Sequence, residues 1–166
     1  MPVFDIYQRP GFLLRRAHQI STAIFERSCA HLGLTPAPYG VLSVLAEQPG
    51  VDQSSLARAL AFDKVTVLRV LQGLEAKGLC SRGTAPGNRR QMAVSLTPQG
   101  LELLSLARQP VQQAADLLLS PFTPAQREQF MGLLNTLNAS LDAQARAGFV
   151  PVQGLPEKAG KRLPSA

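Results

Sequence analysis

Two aspartates, Asp52 and Asp63, place the tightest constraint on how this chain can fold. Asp52 opens the segment DQSSLARALAF and Asp63 opens DKVTVLRVLQGLEAK, so each carboxylate can accept from the free backbone N–H groups of a first helical turn. In the second segment Val67, Val70, Leu71 and Leu74 recur at i, i+3, i+4 and i+7, which gives one face that must be buried. The other face carries Lys64, Val65, Thr66, Leu68, Arg69 and Gln72. Two short capped helices meeting at Ala61 and Phe62 read as a helix-turn-helix. Its first helix would cross a DNA backbone, and its second would lay N-terminal side chains along major-groove base edges. An ordinary pair of core helices has the same pattern, so the pair alone leaves both readings open.

The segment after the pair favours the first reading. Beyond Gly78 the period changes: residues 79–82 and 92–96 alternate as strands do, and the connection GTAPGNRRQ holds glycines, a proline, an asparagine and two arginines. Two short strands with a basic tip make a wing that can reach phosphates or the minor groove beside the site read by the helix. The competing reading is a solvated hairpin tip. Between positions 51 and 100 there are seven basic residues against three acids, two of which are the caps. The whole chain carries a formal net charge of +6, a balance that favours a polyanionic partner.

The flanking segments read as helices with apolar residues to spare. An extended arm ends at Pro10-Gly11, and FLLRRAHQISTAIFERSCAHLGL forms a long helix with Leu13, Leu14, Ile20, Ile24 and Phe25 near one side and Gly33 as its stop. Thr35-Pro36 opens the next helix, PAPYGVLSVLAEQ. Thr97-Pro98 opens another, which Pro110 is expected to kink, and Thr123-Pro124 opens the last. The stripe Phe130, Leu133, Leu134, Leu137 and Leu141 exceeds what a winged helix needs to close its own core. The expected architecture is therefore mainly α with a small β-hairpin wing. A winged helix-turn-helix at 35–97 is joined to a helical dimerisation layer from 11–32 and 98–147, making one domain over 1–147. Residues 148–166, rich in Pro and Gly and basic, are expected to be a mobile tail.

At this point the element order and several local motifs resemble the MarR (multiple antibiotic resistance regulator) family of bacterial transcription factors. The resemblance covers about 12–141 and rests on LGLTPAPYGVLSVL, SSLARAL, DKVTVLRVLQGLEAKGLCSR and NRRQMAVSLTPQG. It implies a homodimer that binds a pseudo-palindromic double-stranded operator, usually represses, and lets go when a small aromatic acid binds between the dimerisation and DNA-binding layers. Carried over residue by residue, it implies DNA contacts at Lys64, Val65, Thr66 and Arg69 on the recognition helix and at Arg90 on the wing. Ser54, Ser55 and Arg89 complete the expected DNA-binding set. The family usually has an acid two positions before the wing arginine, and Asn88 stands there in this chain. In such proteins the effector lies beside the first helix and the one after it. Arg15 or Arg16 would hold a carboxylate, Phe12 or Tyr39 a ring, and His18 a hydroxyl or ring nitrogen.

Other chemistries find less support. Two histidines and eleven scattered acids form no HExxH, GxSxG, P-loop or dinucleotide-binding pattern, so no enzyme and no cofactor is expected. His18, His31, Cys29 and Cys80 lack zinc-ligand spacing. A redox-sensing repressor using Cys29 would need an exposed thiol of depressed pKa, and packing in the first helix is the simpler role. A protein-interaction module with an incidental basic surface is the other alternative. No apolar run approaches the ~18 residues that span a bilayer, and the N-terminus lacks a leader pattern, so a cytoplasmic location is expected.

Overall fold

The computed structural model describes residues 5–85 and 88–152, without the side chains of 85–91. In chain order it has α1 (Pro10–Ser28), α2 (Pro36–Glu47), β1 (Val51–Asp52), α3 (Gln53–Ala59), α4 (Lys64–Ala76), β2 (Cys80–Ala85), β3 (Asn88–Leu96), α5 (Pro98–Leu119) and α6 (Pro124–Leu141). Short 3-10 turns occupy Ile6–Gln8, Ala30–Leu32 and Asp142–Gln144. The fold is mainly α with a winged helix, as the residue pattern implies.

The caps act as the sequence indicates. Asp52 accepts from the N–H groups of Ser54 and Ser55 at 2.9 Å each, and Asp63 accepts from that of Thr66 at 2.7 Å. Thr123 and Gln126 form a reciprocal capping box at the head of α6. Thr35 precedes proline at α2 without a side-chain cap bond. Between α3 and α4, Ala61 takes φ 52°, a left-handed residue in the turn that joins the two short helices.

Several boundaries differ from expectation. Pro10 is the first residue of α1 rather than the end of an extended arm, because a proline at N1 loses no helical hydrogen bond. That helix stops at Ser28, and Gly33, at φ 59°, closes the 3-10 turn beyond it. Pro110, where a kink is expected, lies inside α5. The wing strands extend well into GTAPGNRRQ. β1, too short to carry an alternation signal, adds an edge, with Val51 opposite Val94 and Asp52 opposite Ala93. The sheet is antiparallel in the order β1-β3-β2, with a register shift between Thr84 and Ala85. At the C-terminal end, within the segment from 148 expected to be a tail, the Val150 N–H donates to the Arg58 carbonyl at 3.0 Å, and Val152 packs against the core. The rest of that segment, 153–166, lies outside the described residues.

The core lies where α2, α3, α4 and the sheet meet, around Val41, Leu42, Leu45, Leu56, Val67, Leu71 and Val94, all sealed from solvent. α5 is fixed to this unit at its first turn. The Thr97 hydroxyl donates to the Gly78 carbonyl at 2.7 Å, and a Cβ at Gly100 would stand 2.0 Å from the Leu79 carbonyl oxygen. Only glycine permits that approach, so α5 leaves the winged half from a rigid joint. α6 buries none of its residues.

Candidate nucleic-acid interface

The buried stripe of α4 determines which side chains remain outside. With Val67 and Leu71 sealed in the core, Lys64, Val65 and Arg69 stand exposed on the opposite face, Val65 at 71%. Thirteen residues give α4 a length of about 20 Å, enough to lie in a major groove ~12 Å wide. An exposed valine at the second helical position has no core role. It is suited to contact with a thymine methyl group.

The hydroxyls divide in a way the sequence does not show. Thr66 donates its O–H to the Asp63 carboxylate at 3.0 Å, and Ser55 donates to Asp52 at 2.7 Å while accepting from Arg58 at 3.3 Å. Both hydroxyl protons serve the caps, leaving acceptor capacity and, for Thr66, a methyl group. Ser54 is exposed, and its hydroxyl has no partner among the described residues. It is therefore the serine at the head of α3 free to donate to a phosphate oxygen. The hydroxyl bond from Ser55, aided by the two backbone bonds, outweighs the opposing effect of desolvation and leaves the Asp52 carboxyl below its ordinary value. The backbone bond from Thr66 chiefly lowers that of Asp63. Both caps are thus charged at neutral pH, and each is engaged locally.

The wing is tied to the recognition helix by a two-point ion pair. The Arg82 Nε donates to Glu75 at 2.8 Å, and a second guanidinium nitrogen meets the other carboxylate oxygen, with both side chains about three-quarters buried. This pair raises the Arg82 pKa further and fixes the base of β2 against the end of α4. Asn88, Arg89 and Arg90 belong to β3, but their side chains lie outside the described residues. The sequence reading misses Arg58 and Arg146, which line a cleft with Ser54, Lys64 and Thr66. Arg58 could have been noticed three residues after Ser55; nothing in the local pattern marks Arg146.

Among the described residues, the expected effector residues fall in two separate places. Arg15, Arg16 and His18 are exposed on α1, with the Arg15 guanidinium 5.1 Å from the centre of the Phe12 ring, which also meets Tyr7 edge to face at 5.2 Å. Tyr39 packs at 5.5 Å on Phe25, seven residues beyond His18 and so about 10 Å further along α1. It lines a cleft of about 340 Å³ with Ser43, Glu47, Leu104, Ser105 and Arg108. The sequence reading misses Arg108, whose spacing of four from Leu104 puts both on one face of α5. Cys29 is fully buried and burial pushes its thiol pKa up, the reverse of what a thiolate sensor needs. Cys80 is pushed up to about 11, mainly by burial.

Capped helices, an exposed recognition face and a tethered wing form a DNA-reading arrangement, and the comparisons agree. A family model described as the MarR family matches residues 32–91. A protein of Thauera aromatica, described as a transcriptional regulatory protein for the hcr operon, is 36% identical over 76% of this chain and 77% of its own length. The chain belongs to the MarR family. Among solved MarR-like structures, Bordetella bronchiseptica BpsR superposes with a TM-score of 0.77 at 30% identity, over 82% of this chain and 97% of that one. It was studied for regulation of its DNA binding by 6-hydroxynicotinic acid. The transcriptional repressor CouR, bound to a 23-mer DNA duplex, gives a TM-score of 0.75 at 28% identity over the same shares. In this MarR-family chain no helix among the described residues is long and apolar enough to cross a membrane.

Proposed function

We propose that the chain is a homodimeric, non-catalytic repressor of transcription that binds a pseudo-palindromic operator and is released from it by a small aromatic acid. The observation that carries this reading is the recognition helix: α4 is anchored by three buried aliphatic residues and presents Lys64, Val65 and Arg69 outward beside a wing. One such helix reads only a few base pairs, at about 1–3 kcal/mol per good contact. A two-fold pair doubles the discrimination over half-sites about one helical turn apart. The exposed apolar residues of α1, α5 and α6 are the material for that pairing. BpsR and CouR support both halves of the proposal, the first through an aromatic acid and the second through DNA.

Effector binding is assigned to Phe12, Arg15, Arg16, His18 and Tyr39, with Arg108 beside Tyr39. An acid bound where α1 and α5 approach the winged half would favour one spacing of the reading heads over another, and linkage would then lower operator affinity. Because α5 leaves from the fixed Gly100 joint, its movement is transmitted to the head without slack.

Titration of the protein against the DNA flanking its own gene tests the reading. A clear preference over random duplex and a steep loss of affinity with salt are expected. No preference would overturn it. Arg69→Ala is expected to cost about 1–3 kcal/mol and relax one operator position, while Arg90→Ala should weaken binding more evenly. Adding 6-hydroxynicotinate or benzoate should release operator from wild type. A response unchanged in Arg15→Ala, Arg16→Ala and His18→Ala would move the effector site away from α1.

A further inference from the structure

The cleft at the start of the recognition helix has two walls, and only one belongs to the helix-turn-helix. Ser54, Phe62, Lys64 and Thr66 form the first; Arg146, Ala147 and Gly148, from the segment after α6, form the second, across an opening of about 730 Å³. That second wall is held in place. The Val150 N–H donates to the Arg58 carbonyl at 3.0 Å, and Val152 packs against the core. The cations at the cleft are Arg58, Lys64 and Arg146, and the facing acid, Asp63, already accepts both the N–H and the hydroxyl of Thr66. Arg146 is exposed and has no hydrogen-bond or ion-pair partner among the described residues.

A DNA backbone passing the heads of α3 and α4 would run between these walls, with the Ser54 hydroxyl and Lys64 on one side and the Arg146 guanidinium on the other. We propose that residues 145–152 form a strap that serves as a third DNA-contacting element, with Arg146 as its phosphate contact. The inference rests on the DNA-binding reading above and adds to it a residue and a segment outside the helix-turn-helix and wing. The strap takes no part in reading bases. Its contribution is to affinity and to holding the backbone against the recognition helix, since phosphate contacts position a protein without specifying sequence.

The test uses the full chain with Arg146→Ala, Arg146→Lys and Val150→Pro, the last deleting the N–H that ties the strap to α3. Each is titrated at several salt concentrations against the DNA flanking its own gene and against random duplex, with thermal unfolding as a check on folding. Arg146→Ala is expected to lose about fivefold in affinity for both duplexes near ~0.15 M salt, and to flatten the salt slope by about one. Arg146→Lys should keep most of the affinity, and Val150→Pro should fall between. Unchanged affinity in Arg146→Ala would overturn the strap, and so would tighter binding in either Arg146→Ala or Val150→Pro, which would make the segment a cover over the reading surface. If wild type shows no preference for its own flanking DNA, the parent reading fails before any variant is compared, and the strap fails with it.

Discussion

α4 and α6 carry apolar residues at the same helical spacing and meet opposite surroundings. In α4, Val67 and Leu71 are sealed and Leu74 is 3% exposed, whereas in α6 Leu133 is 63% exposed, Leu137 40% and Leu141 53%. The winged half closes around its own stripe because α2, α3 and the sheet surround it within one chain. Among the described residues, α6 has no such enclosure. A 3.6-residue period thus states that a face wants cover without stating what supplies it. In the proposed dimer the cover is a second copy, and substitutions in the two stripes should therefore fail in different ways.

The largest expected effect is at α6. Leu137→Glu places a charge in the proposed interface and should yield monomers by sedimentation, with operator binding lost. Leu71→Ala is the opposite case. It should lower unfolding stability by about 2–5 kcal/mol, as large-to-small changes in a sealed core do, while the residual folded protein still dimerises. If Leu137→Glu remains a DNA-binding dimer, the contrast between the two helices has been misread.

A smaller effect separates the caps from the core. Asp52→Ala should cost about 1 kcal/mol, the usual worth of an N-cap side chain, measured by chemical unfolding at pH 7. Because the folded carboxyl lies below its unfolded value, its electrostatic contribution is present above the unfolded pKa of ~3.9. It is lost as pH falls through the lowered folded value. The gap between wild type and Asp52→Asn should therefore narrow on acidification. A gap that widened as pH fell would contradict the assigned role.

The smallest effect tests how the wing is held. Glu75→Gln removes the charge opposite Arg82, and since both side chains keep about a quarter of their exposure, the loss should be about 1 kcal/mol or less. The more informative readout is protease sensitivity at the wing, which should rise while α4 stays intact. No change in wing protection would mean that strand pairing alone holds β2.

Much of the reading head is legible because its signals are local. A carboxylate three residues before the N–H it caps, a stripe at i, i+3, i+4 and i+7, and a change to alternating period all lie within one turn or strand. The effector assignment is less legible. Phe12 and Arg15 meet within one helix turn, but Tyr39 faces Arg108, a neighbour 69 positions away that only the packing of α2 on α5 brings near. Ser54 and Ser55 are adjacent and chemically identical, yet one hydroxyl is committed to Asp52 and the other is exposed. β1, two residues long, exists only because β3 lies alongside it.

The sequence by itself determined the order of the helices and the wing, the aspartates that cap the two short helices, and which face of the recognition helix is apolar. These follow from backbone hydrogen bonding and side-chain period over a few residues. The tertiary structure alone decided that residues 150–152 fold back on α3, that Arg58 and Arg146 share a cleft with Lys64, and that the α6 stripe is left uncovered. Those outcomes depend on contacts between residues scores of positions apart, whose free energy is settled by which surfaces the whole chain brings together and which it leaves to solvent or a partner.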